Sequence, residues 1–156
     1  MNTIMEDLKK GIVNVDGVEI NPETTMQDVE NIGVDKAVQR FHPGEFLELI
    51  FNHPIEYDGV AFTVSIRISP KDNRKVVHLD PKLNMQASSI KDESRMKQEV
   101  CEDWLKRNFD TPPTRDTEEG IIYEFDWGSL FSAATEHIHF GHVNGCIHLV
   151  YGDFGR

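Results

Sequence analysis

The sequence predicts an α+β fold: a mainly antiparallel β-sheet built from hairpins, with one long helix and one or two short helices packed on one face. Three observations favour this class. Asp-Gly or Asn-Gly lies between apolar runs at three places, which is typical of two-residue hairpin turns. Large apolar side chains alternate with small or polar ones over residues 60–68, and residues 89–109 carry apolar side chains at helical spacing. Tight turns between successive strands disfavour a parallel nucleotide-binding sheet.

The chain has 156 residues, is 38% hydrophobic and 28% charged, and carries a net charge of −11. These values are typical of one ordinary folded domain, so we expect a single globular domain over residues 1–156. No apolar run is long enough to cross a membrane, and the N-terminal residues lack the basic start and apolar stretch of a secretory signal. We therefore expect a cytoplasmic protein that does not bind membranes, in which Cys101 and Cys146 stay reduced.

The N-terminal third predicts a hairpin followed by two short helices. Asp16-Gly17 between β-branched residues indicates a type I′ turn within residues 12–20. Thr25 with Asp28 three residues later is typical of a helix N-terminal cap, so a short helix begins there. Helical spacing continues afterwards and predicts a second short helix, whose apolar residues are Val34, Ala37, Val38 and Phe41.

Asp58-Gly59 predicts the second hairpin and fixes its register. A two-residue turn at this point gives the expected pairs Tyr57–Val60, Ile55–Phe62, Phe51–Ile66 and Leu49–Ile68. The apolar side chains of both strands then share one face. Pro54 predicts an edge strand or a bulge, because proline cannot donate a hydrogen bond to a ladder. Residues 76–79, VVHL, predict the next strand.

A long helix follows. Ser89 with Asp92 predicts its N-terminal cap, and apolar residues at helical spacing give it one face that can pack on a sheet. Residues 110–113, Asp-Thr-Pro-Pro, end it. We then expect a polar loop over 114–120 and a strand over 121–127, whereas the LFSAAT segment that follows fits a bulge, a loop or an extension.

Residues 136–148 contain four of the seven histidines and predict a third hairpin. Asn144-Gly145 is a strong signal for a two-residue turn. A turn centred there gives the expected pairs Val143–Cys146, Gly141–His148, His139–Val150 and His137–Gly152. One face of the hairpin, with Ile147, Leu149 and Tyr151, is expected to pack on the core. The other face, with His137, His139 and His148, is expected to be in solvent.

His137, His139 and His148 are the candidate metal ligands. His-x-His on a strand presents two imidazoles on one side, and His148 is a diagonal neighbour of His139 in the predicted register, so the three fit a divalent metal such as zinc. The competing interpretation, which the sequence favours, is a solvent-exposed strand pair without a cofactor. The sequence contains no nucleophile elbow, phosphate loop, dinucleotide loop or H-E-x-x-H zinc motif. We therefore expect a protein that is not an enzyme.

Acidic residues are concentrated in two parts of the chain. Residues 1–60 hold twelve Asp and Glu against four Lys and Arg, and residues 92–126 hold eleven against five. Such a surface disfavours binding to nucleic acid and attracts a basic protein. In size, charge and lack of catalytic motifs, the chain is similar to small bacterial immunity proteins, which neutralise a partner toxin.

We therefore expect a small acidic cytosolic protein-binding module, immunity-like or inhibitor-like, that is directed at a basic partner protein. Two alternatives stay open. One is a metal-dependent or histidine-based enzyme centred on the C-terminal hairpin. The other is a structural homo-oligomer formed by pairing of sheet edges.

Overall fold

The computed structural model describes residues 3–42, 45–71, 73–83, 86, 88–117, 120–133 and 147–152. Within these residues the chain forms three helices and eleven strands. In chain order they are α1 Thr3–Lys9, β1 Val13–Val15, β2 Val18–Ile20, α2 Met26–Glu30, β3 Ala37–His42, β4 Phe46–Phe51, β5 Ile55–Tyr57, β6 Val60–Ile68, β7 Lys75–Pro81, α3 Ile90–Asn108, β8 Arg115–Thr117, β9 Gly120–Phe125, β10 Gly128–Ala133 and β11 Ile147–Tyr151.

Nine of these strands form one large sheet, in the order β3-β4-β6-β7-β11-β10-β9-β8, with β5 pairing to β6 beside this path. Strands β1 and β2 form a separate two-stranded sheet. Every strand pair that the structure describes is antiparallel. The fold is therefore α+β with a mainly antiparallel sheet, one long helix and two short ones, as the sequence predicts.

Both Asp-Gly hairpin turns within the described residues are confirmed. Asp16 and Gly17 have φ values of 50° and 81°, and Asp58 and Gly59 have φ values of 50° and 79°. Positive φ at both central residues is the geometry of a type I′ turn. The strands that flank the second turn pair Tyr57 with Val60, as expected.

The register of β4 differs from the prediction by two residues. Leu49 lies opposite Ile66, not opposite Ile68, because residues 52–54 stand between β4 and β5 and make no ladder pair. This interruption includes Pro54, for which a bulge was one of the two expectations. A shift of two residues keeps every side chain on its predicted face, so the apolar face of the sheet is preserved.

The helix-covered face of the sheet carries the core. Helix α3 contacts β7, β9 and β10, and Ser89 caps it by accepting a hydrogen bond from the backbone N–H of Asp92. The indole of Trp104 meets Phe62 edge-on, with a centroid distance of 5.0 Å, and donates to the carbonyl of Tyr57. The largest fully buried side chains are Trp104, Phe62, Met5, Leu8, Ile20, Leu49, Ile66, Ile68, Leu79, Leu105, Ile121 and Leu130.

Two long side chains, one from the turn between β9 and β10 and one from β11, attach the end of α1 to the sheet. Trp127 Nε1 donates to the carbonyl oxygen of Lys9 at 2.9 Å, and the hydroxyl of Tyr151 donates to that of Gly11 at 2.8 Å. Gly11 has φ +73°, and a Cβ at this position would lie 2.7 Å from the Trp127 ring. The turn after α1 therefore requires glycine for both its conformation and its contact with Trp127.

Three segments of the chain differ in secondary structure from what the sequence predicts. The prediction of a second short helix is wrong, because residues 37–42 form strand β3. Residues 115–117 of the predicted polar loop form the short strand β8. The strand predicted over 121–127 ends at Phe125, and after a turn at residues 126–127 the chain returns as a separate antiparallel strand, β10, over residues 128–133. No helix within the described residues is both long and apolar enough to cross a membrane.

Candidate functional site

His148 lies on the second face of the sheet, which we define as the face opposite α3. Strand β11 runs between β7 and β10, so His148 is flanked by His78 on one side and Phe131 on the other. Ser65 of β6 lies next to His78 in the same row. The side chain of His148 is fully buried, and His78 is 6% exposed.

Ring contacts hold the His148 imidazole in place. Its centroid lies 4.8 Å from that of His78, with the rings nearly perpendicular, and 4.9 Å from that of Phe131, with the rings stacked. Burial lowers the pKa of His148 well below its usual value, and the nearby charges of His78 and Arg67 lower it further. His148 is therefore neutral at neutral pH.

The solvent-exposed position predicted for His148 is wrong, whereas Ile147, Leu149 and Tyr151 do join the core as expected. The predicted pairing is also wrong for the described strand. The two neighbours of His148 are Phe131 and His78, and those of Val150 are Ser129 and Val76. The prediction failed because it placed β11 in an isolated hairpin, while the structure places it in the middle of a wide sheet.

His137, His139 and the Asn144-Gly145 turn lie outside the described residues, so the metal site of His137, His139 and His148 stays a prediction. What sequence reasoning missed is His78 as the ring neighbour of His148. The strand that carries His78 was predicted, but the sequence carried no signal for its pairing with β11. Across the described part of the chain, no group of three or more His, Cys, Asp or Glu residues could hold a metal ion.

A buried ion pair lies in the adjacent row of the second face. Glu48 of β4 is opposite Arg67 of β6, and Arg67 Nε donates to Glu48 Oε2 at 3.2 Å. The guanidinium also lies over the ring of Phe46, 4.9 Å from its centroid. Because the two side chains are only 6% and 12% exposed and neutralise each other, this row is best explained by packing and charge balance.

A cleft of about 690 Å³ lies between the end of β7 and the start of α3. Its walls include Lys82 and Lys97 together with Asp80 and Glu93. Lys97 Nζ lies 2.8 Å from Asp80 Oδ1 and 3.7 Å from Glu93 Oε1. The two lysines are matched by two carboxylates of the chain itself, so the cleft has no charge imbalance that would select a ligand.

Among the described strands, β3 is the longest one that lies at an edge of the sheet. In the order of the described strands, β3 and β8 stand at the two ends. Strand β8 has only three residues, all exposed. Strand β3 has six residues and exposes Val38 and Phe41 by 51% and 63%, and Val34 in the preceding turn is 87% exposed. We call β3 together with its preceding turn, residues 33–42, the β3 edge.

The hydrogen bonds of β3 show which backbone groups face outward. The N–H of Asn52 donates to the carbonyl of Lys36, which makes Ala37 and Phe51 a non-hydrogen-bonded pair of the antiparallel ladder. Val38 and Arg40 therefore bond to β4, while the backbone groups of Gln39 and Phe41 point away from it. No hydrogen-bond partner for these outward groups lies within the described part of the chain.

Charges of both signs surround the β3 edge. Glu30, Asp35 and Glu45 are exposed, as is Arg40 within the strand. Arg40 lies opposite the buried Glu48. The side-chain amide of Gln39 donates to the carbonyl of Glu30 at 3.1 Å, which attaches the end of α2 to the strand. Asp35 and Glu45 thus lie near the two ends of the strand, and Glu30 is joined to its centre through the backbone.

Sequence reasoning missed this edge, although a signal for it exists. His42-Pro43-Gly44-Glu45 is a turn sequence between two runs rich in valine, phenylalanine and isoleucine, which together indicate a hairpin.

Comparison with known proteins gives no likeness from which a function could be inferred. No protein-family model, curated protein or solved structure matches the chain.

Proposed function

We propose that this chain is a protein-binding module that docks a basic partner protein on the β3 edge. The observation that carries the proposal is an edge strand with outward backbone groups at Gln39 and Phe41 and exposed apolar side chains at Val38 and Phe41. Edge strands in folded proteins are usually shortened, charged or covered, because they pair readily with other chains. Strand β3 carries one exposed charge, Arg40, but its outward backbone groups and its two exposed apolar side chains are features of sheet edges to which an extended segment can be added.

Charge selects the class of partner. The chain carries a net charge of −11, and exposed carboxylates at Glu30, Asp35 and Glu45 flank an edge that itself holds Lys36 and Arg40. A second copy of the chain carries the same charge, so self-association by edge pairing is opposed by repulsion over the whole molecule. A basic protein is attracted instead, which fits an immunity-like or inhibitor-like role in which the partner is neutralised.

The test is the rate at which a purified partner, first captured from cells that make the chain, associates with it. We expect the rate to fall steeply as salt rises, because salt screens the attraction between the acidic surface and the partner. Glu45→Lys should slow association more than Asp126→Lys. The two changes add the same charge, but Glu45 borders β3 whereas Asp126 lies in the turn between β9 and β10.

The proposal would be contradicted if the association rate of the partner changed neither with salt concentration nor with Glu45→Lys. Measurement of the mass of the free chain in solution separates it from the homo-oligomer alternative. We expect a monomer, because the net charge of −11 on each copy opposes the approach of a second copy. A stable dimer would favour edge pairing between copies.

A further inference from the structure

We propose that the partner contributes an extended segment that adds to β3 as a new strand and pairs its backbone with Gln39 and Phe41. This inference rests on the proposed function and specifies how the partner is held. It predicts recognition through the backbone of the partner, with side chains adding selectivity. It differs from docking on a patch of side chains, in which the backbone of β3 would play no part.

The backbone groups of β3 limit where pairing can occur. The N–H of Ala37 points outward but already donates to the carbonyl of Gly33 at 3.2 Å, so the turn before β3 closes that end of the strand. Gln39 and Phe41 follow, each with an outward N–H and an outward carbonyl. They lie two residues apart, or about 7 Å along the strand, which is the spacing at which an antiparallel neighbour exchanges pairs of hydrogen bonds.

Exposed side chains give the added strand one apolar contact on each face. Phe41 lies opposite Leu47, so it stands on the helix-covered face, but it is 63% exposed beyond the end of the core. Val38 lies opposite Ile50 on the second face and is 51% exposed. A partner segment with apolar residues on both faces would cover both side chains at once.

The ends of the segment meet carboxylates. Asp35 precedes β3 and Glu45 follows it, and both are exposed. The structure therefore fits a short extended segment with an apolar or β-branched centre and basic residues at its ends. A segment with acidic ends would meet repulsion at the same two positions.

The probe is a short synthetic peptide of alternating valine and threonine with lysines at both ends, compared with the same peptide ended by glutamates. Gln39→Pro removes the outward N–H of residue 39 and leaves the ladder to β4 intact, because that N–H does not face β4. Gln39→Val is its matched control. It loses the same side-chain hydrogen bond to Glu30 but keeps the backbone N–H.

We expect the lysine-ended peptide to bind the wild-type chain and Gln39→Val about equally, and to bind Gln39→Pro about tenfold more weakly. A second measurement does not depend on folding of the variants. Two peptides are compared, one methylated on its odd-numbered backbone nitrogens and the other on its even-numbered ones. One of them should lose binding and the other should bind nearly as well as the unmethylated peptide, because only alternate backbone groups of a strand face its neighbour.

The inference would be overturned if the lysine-ended peptide bound Gln39→Pro and Gln39→Val equally, or if the two methylation patterns had equal effects on binding. Failure of the lysine-ended peptide to bind the wild type would do the same, as would equal binding of the glutamate-ended peptide. None of these results decides the proposed function, which is judged by the association of the purified partner. Loss of that association in Glu45→Lys together with equal binding to the two Gln39 variants would indicate docking through side chains alone.

Discussion

The imidazole of His148 is enclosed by His78 and Phe131 and cannot be protonated without placing a charge in the sheet. Burial, His78 and Arg67 all lower its pKa below the 6.5 of a free histidine. In the pH range between the folded and unfolded values, the unfolded chain therefore binds more protons than the folded one. The stability contributed by neutral His148 is present above about pH 6.5 and is lost as the pH falls below it.

We predict that the unfolding free energy of the wild type decreases below about pH 6.5, by no more than about 1.4 kcal/mol per pH unit from this group. His148→Gln should be less stable at neutral pH, because it loses the ring contacts, but its stability should depend less on pH. Urea unfolding of both chains between neutral pH and about pH 5 measures the two slopes. Parallel slopes would show that another group is responsible.

The three histidines proposed as metal ligands are tested separately. Because the register that joined His148 to the others is wrong, we expect no tight zinc binding. Isothermal titration of the wild type at neutral pH measures this directly, since a ligating imidazole must be deprotonated. A one-to-one isotherm that is lost in His139→Ala and retained in His53→Ala would reverse the expectation. His53 is the matched control because its side chain is 67% exposed.

Helices and hairpins were predictable where their determinants are close in sequence. The caps at Thr25 and Ser89 and the turns at 16–17 and 58–59 each depend on side chains within a few residues, and all four are confirmed. Strand β3 was not predicted, because apolar spacing indicates a helix only if the apolar residues are buried. Three of the four apolar residues of the predicted helix, Val34, Val38 and Phe41, are exposed in the structure, so their spacing carries no information about packing.

The attachment of α1 offers a test at the scale of elements. Gly11 and Gly59 both have positive φ, but only at Gly11 would a Cβ meet another group, the Trp127 ring at 2.7 Å. Alanine at either position strains the backbone to a similar degree. We predict that Gly11→Ala lowers the unfolding free energy by about 1–3 kcal/mol more than Gly59→Ala, because it also displaces Trp127. Urea unfolding of the two variants gives the difference, and equal losses would mean that Trp127 moves aside without cost.

At the scale of the whole molecule, the order of the strands in the sheet could not be predicted from the sequence. Strands β7 and β11 are neighbours although the whole of α3 and three further strands separate them along the chain. Turn sequences indicate only which consecutive strands pair. They give no information about a strand that inserts between two strands in the middle of a sheet. The burial of His148, its pairing with His78 and the open edge at β3 all follow from this order. The same limit applies to His148 of the candidate site, whose neighbours His78 and Phe131 could not be predicted from nearby turn sequences.

The two ends of the large sheet are unequal, and this difference governs how far a strand-to-strand contact can spread. Growth of a cross-β fibril needs a receptive edge on each side of every added unit. Among the described strands, β3 is such an edge, whereas β8 is three residues long and carries Arg115 and Asp116, both engaged in ion pairs. A chain that joined a growing sheet through β3 would present β8 to the next arrival and stop the growth. If β3 takes up a strand as we propose, the molecule would end β-assembly and would not seed it.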